Sequence, residues 1–181
     1  GLGKRGCDIA EELTAYPEYR VYKIDSEINE RASLSLGNHG SMDLYEKNLD
    51  TEEVMIYLRS IRKEDKVLLL LEGGDPISGA ALKILETIKS SKISVLYIYP
   101  DPSMLTSIQA RDNKIAFNIL QQYARSGVFE NMFLISSGHV DKLMGQVSIE
   151  SYNKQFCYFI SYALAMINYF NHASPVMTNH G

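Results

Sequence analysis

The chain has 181 residues, of which 45% are hydrophobic and 22% charged, enough for one domain with a sizeable core. The net charge of -4 argues against the broad basic patch of a non-specific nucleic-acid binder. The longest aliphatic run, Val67 to Leu71, is far too short to span a bilayer, and Cys7 and Cys157 form neither a disulfide framework nor a metal knuckle. A reduced, cytoplasmic setting is the expectation.

The chain opens on Gly1-Leu2-Gly3-Lys4-Arg5-Gly6, which fits the GxGxxG pattern. Glycines in that pattern permit a tight turn and let backbone N–H groups approach a phosphate at a helix N-terminus. Such a turn normally follows a buried strand, so residues are expected ahead of Gly1. The plainer alternative is a glycine-rich turn with no ligand. Asp8 to Ala15 reads as the first helix, with Ile9 and Leu13 on one face, Asp8 in its first turn, and Pro17 ending it. Cys7, at the start of that helix, reads as a small residue packed against the sheet.

Arg20 to Ile24 reads as a short strand leading into Asp25-Ser26-Glu27. Asp25 follows Gly6 by 19 residues, the spacing at which an acid bonds a ribose hydroxyl in NAD-binding folds. Glu27 offers a carboxylate to Mg²⁺ through water. A cap or a solvated turn is the alternative for both. Ser35 to Asp43, with Gly37, Asn38 and Gly40, reads as a loop. Thr51 to Arg62 is an amphipathic helix and Lys66 to Leu71 a strand buried on both faces.

A second glycine-rich segment, Gly73-Gly74-Asp75-Pro76-Ile77-Ser78-Gly79, joins that strand to a helix over Ala80 to Ser90. It is a second phosphate-cradling position, or else a plain connection with a proline turn. A strand over Ile93 to Tyr99, a helix over Ser107 to Ser126, a strand over Met132 to Ile135 and an apolar helix over Glu150 to Phe170 follow. The Tyr and Phe residues of the last helix read mostly as core, and the scattered His39, His139, His172 and His180 show no ligand spacing. Alternating helices and strands predict an α/β domain over residues 1–181. Its parallel sheet is covered by helices on both faces, and its function lies in the loops after the strands.

The order of these motifs resembles the nucleotide-binding domain of the tubulin/FtsZ family over nearly the whole chain. Gly1 to Gly6 resembles the family's first phosphate loop, and Ile24-Asp25-Ser26-Glu27 its Ile-Asn-Thr-Asp loop, which places Glu27 at the magnesium-side acid. Leu36-Gly37-Asn38-His39-Gly40 resembles the loop near the γ-phosphate, and Gly73 to Gly79 stands where the family has GGGTGTG or GGGTGSG. Arg111 matches the arginine of its ribose-contacting Glu-x-x-x-Arg pair, although Ser107 replaces the glutamate. Leu134-Ile135-Ser136-Ser137 through Asp141-Lys142-Leu143 resembles a strand ending in Asn-Asp-Lys-Leu. The closing helix resembles the central helix, which puts Tyr152 and Asn153 near the guanine.

The resemblance implies a three-layer Rossmann-like domain that binds GTP or GDP with Mg²⁺ and stacks head-to-tail into filaments. The implied phosphate and nucleoside contacts are Gly1, Gly3, Lys4, Arg5, Gly6, Asp25, Gly37, Asn38, Gly40, Gly73, Gly74, Ser78, Gly79, Arg111, Tyr152 and Asn153. Asp75, Pro76 and Ile77 depart from the family's signature loop, and Pro76 removes a backbone donor. The family's catalytic acids lie after the central helix. Here Ser174 to Gly181 carries no Asp or Glu and reads as an interrupted connection, so no catalytic residue is assigned. The rival readings are a nucleotide-free assembly subunit of the same fold and an NAD-binding Rossmann domain.

Overall fold

The structure, a computed structural model, describes residues 1–172, so the expectations for 174–181 lie outside the described residues. It is a mixed α/β arrangement with parallel strands. Helix α1 (Gly3–Leu13) is followed by strands β1 (Lys23–Asp25) and β2 (Ser33–Ser35), then helices α2 (Met42–Asn48) and α3 (Thr51–Leu58). Strand β3 (Lys66–Glu72), helix α4 (Ala81–Thr87), strand β4 (Lys92–Tyr99), helix α5 (Ser107–Arg125), strand β5 (Asn131–Ser136) and helices α6 (Ser137–Met144) and α7 (Ile149–His172) complete it. Short 3-10 turns at Pro76–Ala80 and Pro102–Met104 follow β3 and β4.

β3, β4 and β5 form one parallel sheet in that order, and β1 and β2 a second parallel pair. Leu2 links the two sets through single parallel bridges to Ile24 and to Leu71. Its N–H donates to the Leu70 carbonyl at 2.9 Å, while the Gly1 carbonyl accepts from Ile24 N–H at 2.9 Å. The lateral order is therefore β2, β1, Leu2, β3, β4, β5.

Side chains alternate between the two faces of a strand. Leu69, Leu71, Ile93, Val95 and Tyr97 pack against α2 to α5 in one apolar cluster. Leu70, Leu96 and Ile98 pack against α1, α6 and α7 in another. The aliphatic strands thus bury both faces, as their unbroken apolar character requires. Helix starts are fixed locally. Asp50 accepts from the Glu52 and Glu53 amides at α3, and Thr106 and Gln109 form a reciprocal capping box at α5.

Several boundaries differ from expectation. α1 begins at Gly3, inside the glycine motif, so Asp8 is not in its first turn. The segment read as a strand over Arg20 to Ile24 is paired only from Lys23 to Asp25, because beside Arg20 to Tyr22 no strand is hydrogen-bonded. Ser33–Ser35 pairs with β1 as β2, a strand that was not expected and whose last residue, Ser35, had read as the start of a loop. Met42–Asn48 is a helix capped by Ser41, not part of that loop. α6 was not expected; a strand leading straight into a helix leaves no turn residue to mark it. In β3 only Leu69 to Leu71 are buried. In α7, Tyr158, Phe159, Tyr162 and Tyr169 are exposed, because only the stripe through Phe156, Cys157 and Ile160 meets the core.

One contact fixes α1 on the sheet. A Cβ on Gly6 would collide with the Leu70 carbonyl oxygen and lie 3.2 Å from its carbon. Gly6→Ala should destabilise the protein by roughly 1–3 kcal/mol in urea unfolding. Gly138→Ala is the control, since its added methyl meets Asp101 Oδ2 at an ordinary 3.4 Å. It should change stability by less than about 0.5 kcal/mol.

Candidate functional site

Three segments meet at the carboxyl ends of β1 and β3: the Gly1–Gly6 turn, the Asp25–Glu27 loop and the Gly73–Gly79 loop. Each glycine of the first turn has a separate steric reason. A Cβ on Gly1 would strike the Gly6 carbonyl, and it would lie 2.6 Å from the Cys7 nitrogen. Gly3 takes φ +71°, a conformation that favours glycine. Gly6 permits the close crossing of α1 over β3 described above. These are the uses of three glycines in a phosphate turn: a tight bend, a close backbone approach, and helix-on-strand packing.

The Gly73–Gly79 loop faces this turn directly. A Cβ on Gly3 would lie 2.8 Å from Ile77 Cγ2 and 2.9 Å from Asp75 Oδ2. Gly73 N–H donates to the Ile98 carbonyl at 2.9 Å, and Gly74 takes φ +81° against the Gln109 backbone at the start of α5. The Asp75 carboxylate accepts from Ile77 N–H at 3.1 Å and caps the 3-10 turn. Burial raises its pKa, the Ile77 bond opposes that rise, and the nearby Asp25 charge adds to it. The Ser78 hydroxyl, in the same loop, is buried without a hydrogen-bond partner among the described residues. Gly79 approaches the Met42 backbone so closely that a Cβ would collide with it, which ties the loop to α2.

Arg5 organises a second layer beneath the turn. Its guanidinium lies 4.5 Å from the Phe156 ring centre and 5.9 Å from that of Tyr152. It pairs with Glu72 at 3.6 Å and donates to Asn153 Oδ1. Asn153 in turn donates to Asp8 Oδ2 at 2.8 Å, and Tyr152 donates to Asp141 Oδ1 at 2.6 Å. Burial, reinforced by Asp141, pushes the Tyr152 hydroxyl up to about 12. Burial also raises Glu72, with Arg5 opposing it.

The structure therefore brings Gly1, Gly3, Arg5, Gly6, Asp25, Gly73, Gly74, Ser78, Gly79, Tyr152 and Asn153 to one edge. Lys4 is exposed on α1 and pairs at 3.8 Å with Asp8. Glu27 is exposed after β1. Gly37 and Gly40, with φ +76° and +74°, stand in open space in the loop before α2, where Asn38 Oδ1 accepts from Gly40 N–H. Arg111 projects to solvent and is held at 2.8 Å by the buried Asp112 carboxylate. Among the described residues no three His, Cys, Asp or Glu side chains form a metal cluster.

Sequence reading missed Tyr97 and Asn113, which fit around Gly73 so closely that a Cβ there would collide with both. The Tyr97 hydroxyl donates to Asn113 Oδ1 at 2.7 Å. Their signal was present: Asp112-Asn113 places two buried polar residues on the inward side of α5.

Compared with protein-family models, this sequence matches none. No curated protein matches it significantly. The assignment of function therefore rests on the geometry of this edge.

Cys7 lies under the turn, donating to the Gly1 and Ile24 carbonyls. Cys157 is buried on α7. Burial pushes both thiols up to about 11. Between the ordinary thiol range near 9 and about 11, the folded chain keeps protons that the unfolded chain has lost, so stability falls as pH rises through that window. Tm measured from pH 8 to 11 should decline, and the slope should flatten in the Cys7→Ala, Cys157→Ala double variant. Both thiols should react slowly with a disulfide reagent at pH 8 until the protein is unfolded.

Proposed function

We propose that this chain is a divergent nucleotide-binding domain of tubulin/FtsZ type, which holds a guanine nucleotide at the carboxyl edge of a three-layer Rossmann-like sheet. The observation that supports it most is the reversal of strand order at Leu2. From Leu2 the chain passes through α1 to β1 on one side, and later enters β3 on the other. Parallel α/β sheets bind ligands in the crevice at such a switch point. Both glycine-rich segments open onto that crevice.

In this reading, backbone N–H groups at the Gly3 start of α1 and of Gly74 hold the phosphates, Gly73 lets the loop pass close to Tyr97 and Asn113, and the unpartnered Ser78 hydroxyl supplies a further donor. Asp25, at the end of β1, would take a ribose hydroxyl. Tyr152 and Asn153 offer a stacking ring and a hydrogen-bonding amide to the base, with Arg5 fixing both. Arg111 reaches the nucleotide only if its pairing with Asp112 rearranges. The fit is less favourable at one point. Asp75, an acid, stands against Gly3, where phosphate oxygens would approach. A divalent cation travelling with the phosphates would offset that charge. Mg²⁺ bound in this way needs only one or two protein carboxylates, such as Glu27 or Asp75.

Asp75 also favours the second reading, a nucleotide-free assembly subunit of the same fold. Thermal unfolding separates the two, because a ligand that binds only the folded state raises Tm. GTP or GDP at about 100 times Kd, with Mg²⁺, should raise Tm by roughly 5–10 °C, and NAD should not. Without Mg²⁺ the shift should shrink, and Asp75→Asn should restore it. No shift with any nucleotide, in either protein, supports the nucleotide-free subunit. A shift with NAD alone, lost in Asp25→Ala, supports a dinucleotide-binding domain.

Assembly of this type is head-to-tail, a heterologous contact that propagates rather than closes. The acid that positions the attacking water would come from a neighbouring subunit, and the segment 174–181 carries none. Loss of such a group typically removes a factor of about 10² to 10⁴ in rate. Phosphate release by this chain should therefore stay near background at every protein concentration. Specific activity that climbs with concentration would show that subunits complete one another's sites.

A further inference from the structure

The side of the sheet away from Leu2 ends on β5, which pairs with β4 and, among the described residues, with no strand on its outer side. Lys92 N–H donates to the Asp65 carbonyl and the Ile98 carbonyl accepts from Gly73 N–H. The even-numbered residues of β4 therefore address β3, and the odd-numbered ones address β5. In the parallel register that sets Val95 against Met132, the N–H and C=O groups of Asn131, Phe133 and Ile135 are taken up by β4. Those of Met132, Leu134 and Ser136 point outward along an open edge.

Proteins blunt an open edge with charge, proline, a bulge or a covering element. Asn131 to Ser136 carries no charge and no proline, and its register with β4 is unbroken from end to end. Apolar side chains stand on both faces of the edge: Phe133 is 42% exposed and Leu134 54%. On the α5 face a hollow of about 430 Å³ opens between Phe117, Gln121, Ala124 and Arg125 of α5 and Met132 and Leu134 of β5.

We infer that β5 is the contact by which two copies of this chain pair, antiparallel and edge to edge, about a two-fold axis at Phe133. This register sets Met132 opposite Leu134 of the second copy. Both residues direct their backbone groups outward, so they exchange hydrogen bonds in both senses, and symmetry repeats the exchange. Phe133 faces its own counterpart at the non-hydrogen-bonded position, where opposed side chains come closest. The exposed Leu134 of each copy lies on the α5 face, beside the hollow of the other. A register centred on Leu134 would instead oppose Met132 to Ser136, an apolar side chain to a polar one. Charge permits the pairing. The strands bring none of their own, and the two flanking Glu130 carboxylates stand about 20 Å apart, well beyond the screening length at physiological salt. The contact runs along the side of the sheet, two strands from β3 and the crevice, so it does not depend on nucleotide binding.

The test is sedimentation of the 181-residue chain without nucleotide. A contact this small is weak, and monomer should give way to dimer with a Kd between about 1 µM and 1 mM. Leu134→Lys replaces a side chain that is more than half exposed, so it should leave Tm nearly unchanged while weakening dimerisation at least tenfold. A second readout fixes the register. Mild oxidation should link Phe133→Cys into a disulfide dimer, because the facing Cα atoms at that position are about 4.5 Å apart. Ser136→Cys, whose counterpart lies about 20 Å away, should stay unlinked. A chain still monomeric at about 1 mM, an oligomer indifferent to Leu134→Lys, or equal linking of the two cysteine variants would overturn the inference. Slow amide exchange at Leu134 and Ser136 in the dilute monomer would also overturn it, since another part of the chain would then cover the edge.

Discussion

The whole arrangement depends on one short backbone segment. Gly1 and Leu2 hydrogen-bond to Tyr22 and Ile24 on one side and to Leu70 on the other. Without those bonds β1-β2 and β3-β4-β5 would be separate sheets, each too small to bury its own faces. The same two residues lead directly into α1, whose Gly6 crosses β3 in contact with the Leu70 carbonyl. The position of the glycine turn, the lateral order of the strands and the place of the crevice all follow from this pairing.

The crevice has mixed electrostatics. Backbone N–H groups and the start of α1 favour an anion there, and Arg5 adds positive charge below. Arg5 is already engaged by Glu72, Asn153 and the Phe156 ring. Asp25 and Asp75 bring negative charge to the rim, and Asp75 is held protonated more readily than an ordinary carboxyl because it is partly buried. On the proposed reading, such a site would favour a polyphosphate that arrives with its cation over a bare anion. It also explains why the loop can carry Asp75-Pro76 at all: the carboxylate caps the 3-10 turn that Pro76 begins.

Much of this was legible in the sequence. The aliphatic runs at Val67 to Leu71 and Ile93 to Tyr99 announced parallel strands, and the two glycine-rich segments announced the loops that meet. The alternation of strands and helices placed those loops on one edge. What was hidden arises from tertiary context. Ser33–Ser35 is polar at both ends and becomes a strand because β1 offers it a partner and Leu34 joins the core. Arg20 to Tyr22 has strand-like residues, but its backbone meets only the Gly1 amine, at the Tyr22 carbonyl, so among the described residues it joins no strand ladder. Exposed aromatics on α7 read as core because their helical spacing says nothing about how wide a stripe the neighbours cover. At the site, glycine spacing revealed the turn. The opposing carboxylate of Asp75, the buried Tyr97–Asn113 pair and the engagement of Arg5 depend on contacts between distant segments.

The most direct test of the central claim is residue-resolved amide NMR of the protein titrated with GTP and Mg²⁺. The account predicts saturable shift changes concentrated at Gly3, Gly6, Gly73, Gly74 and Ser78, with smaller changes at Asn153. Changes confined to other surfaces, or none up to millimolar nucleotide, would contradict it.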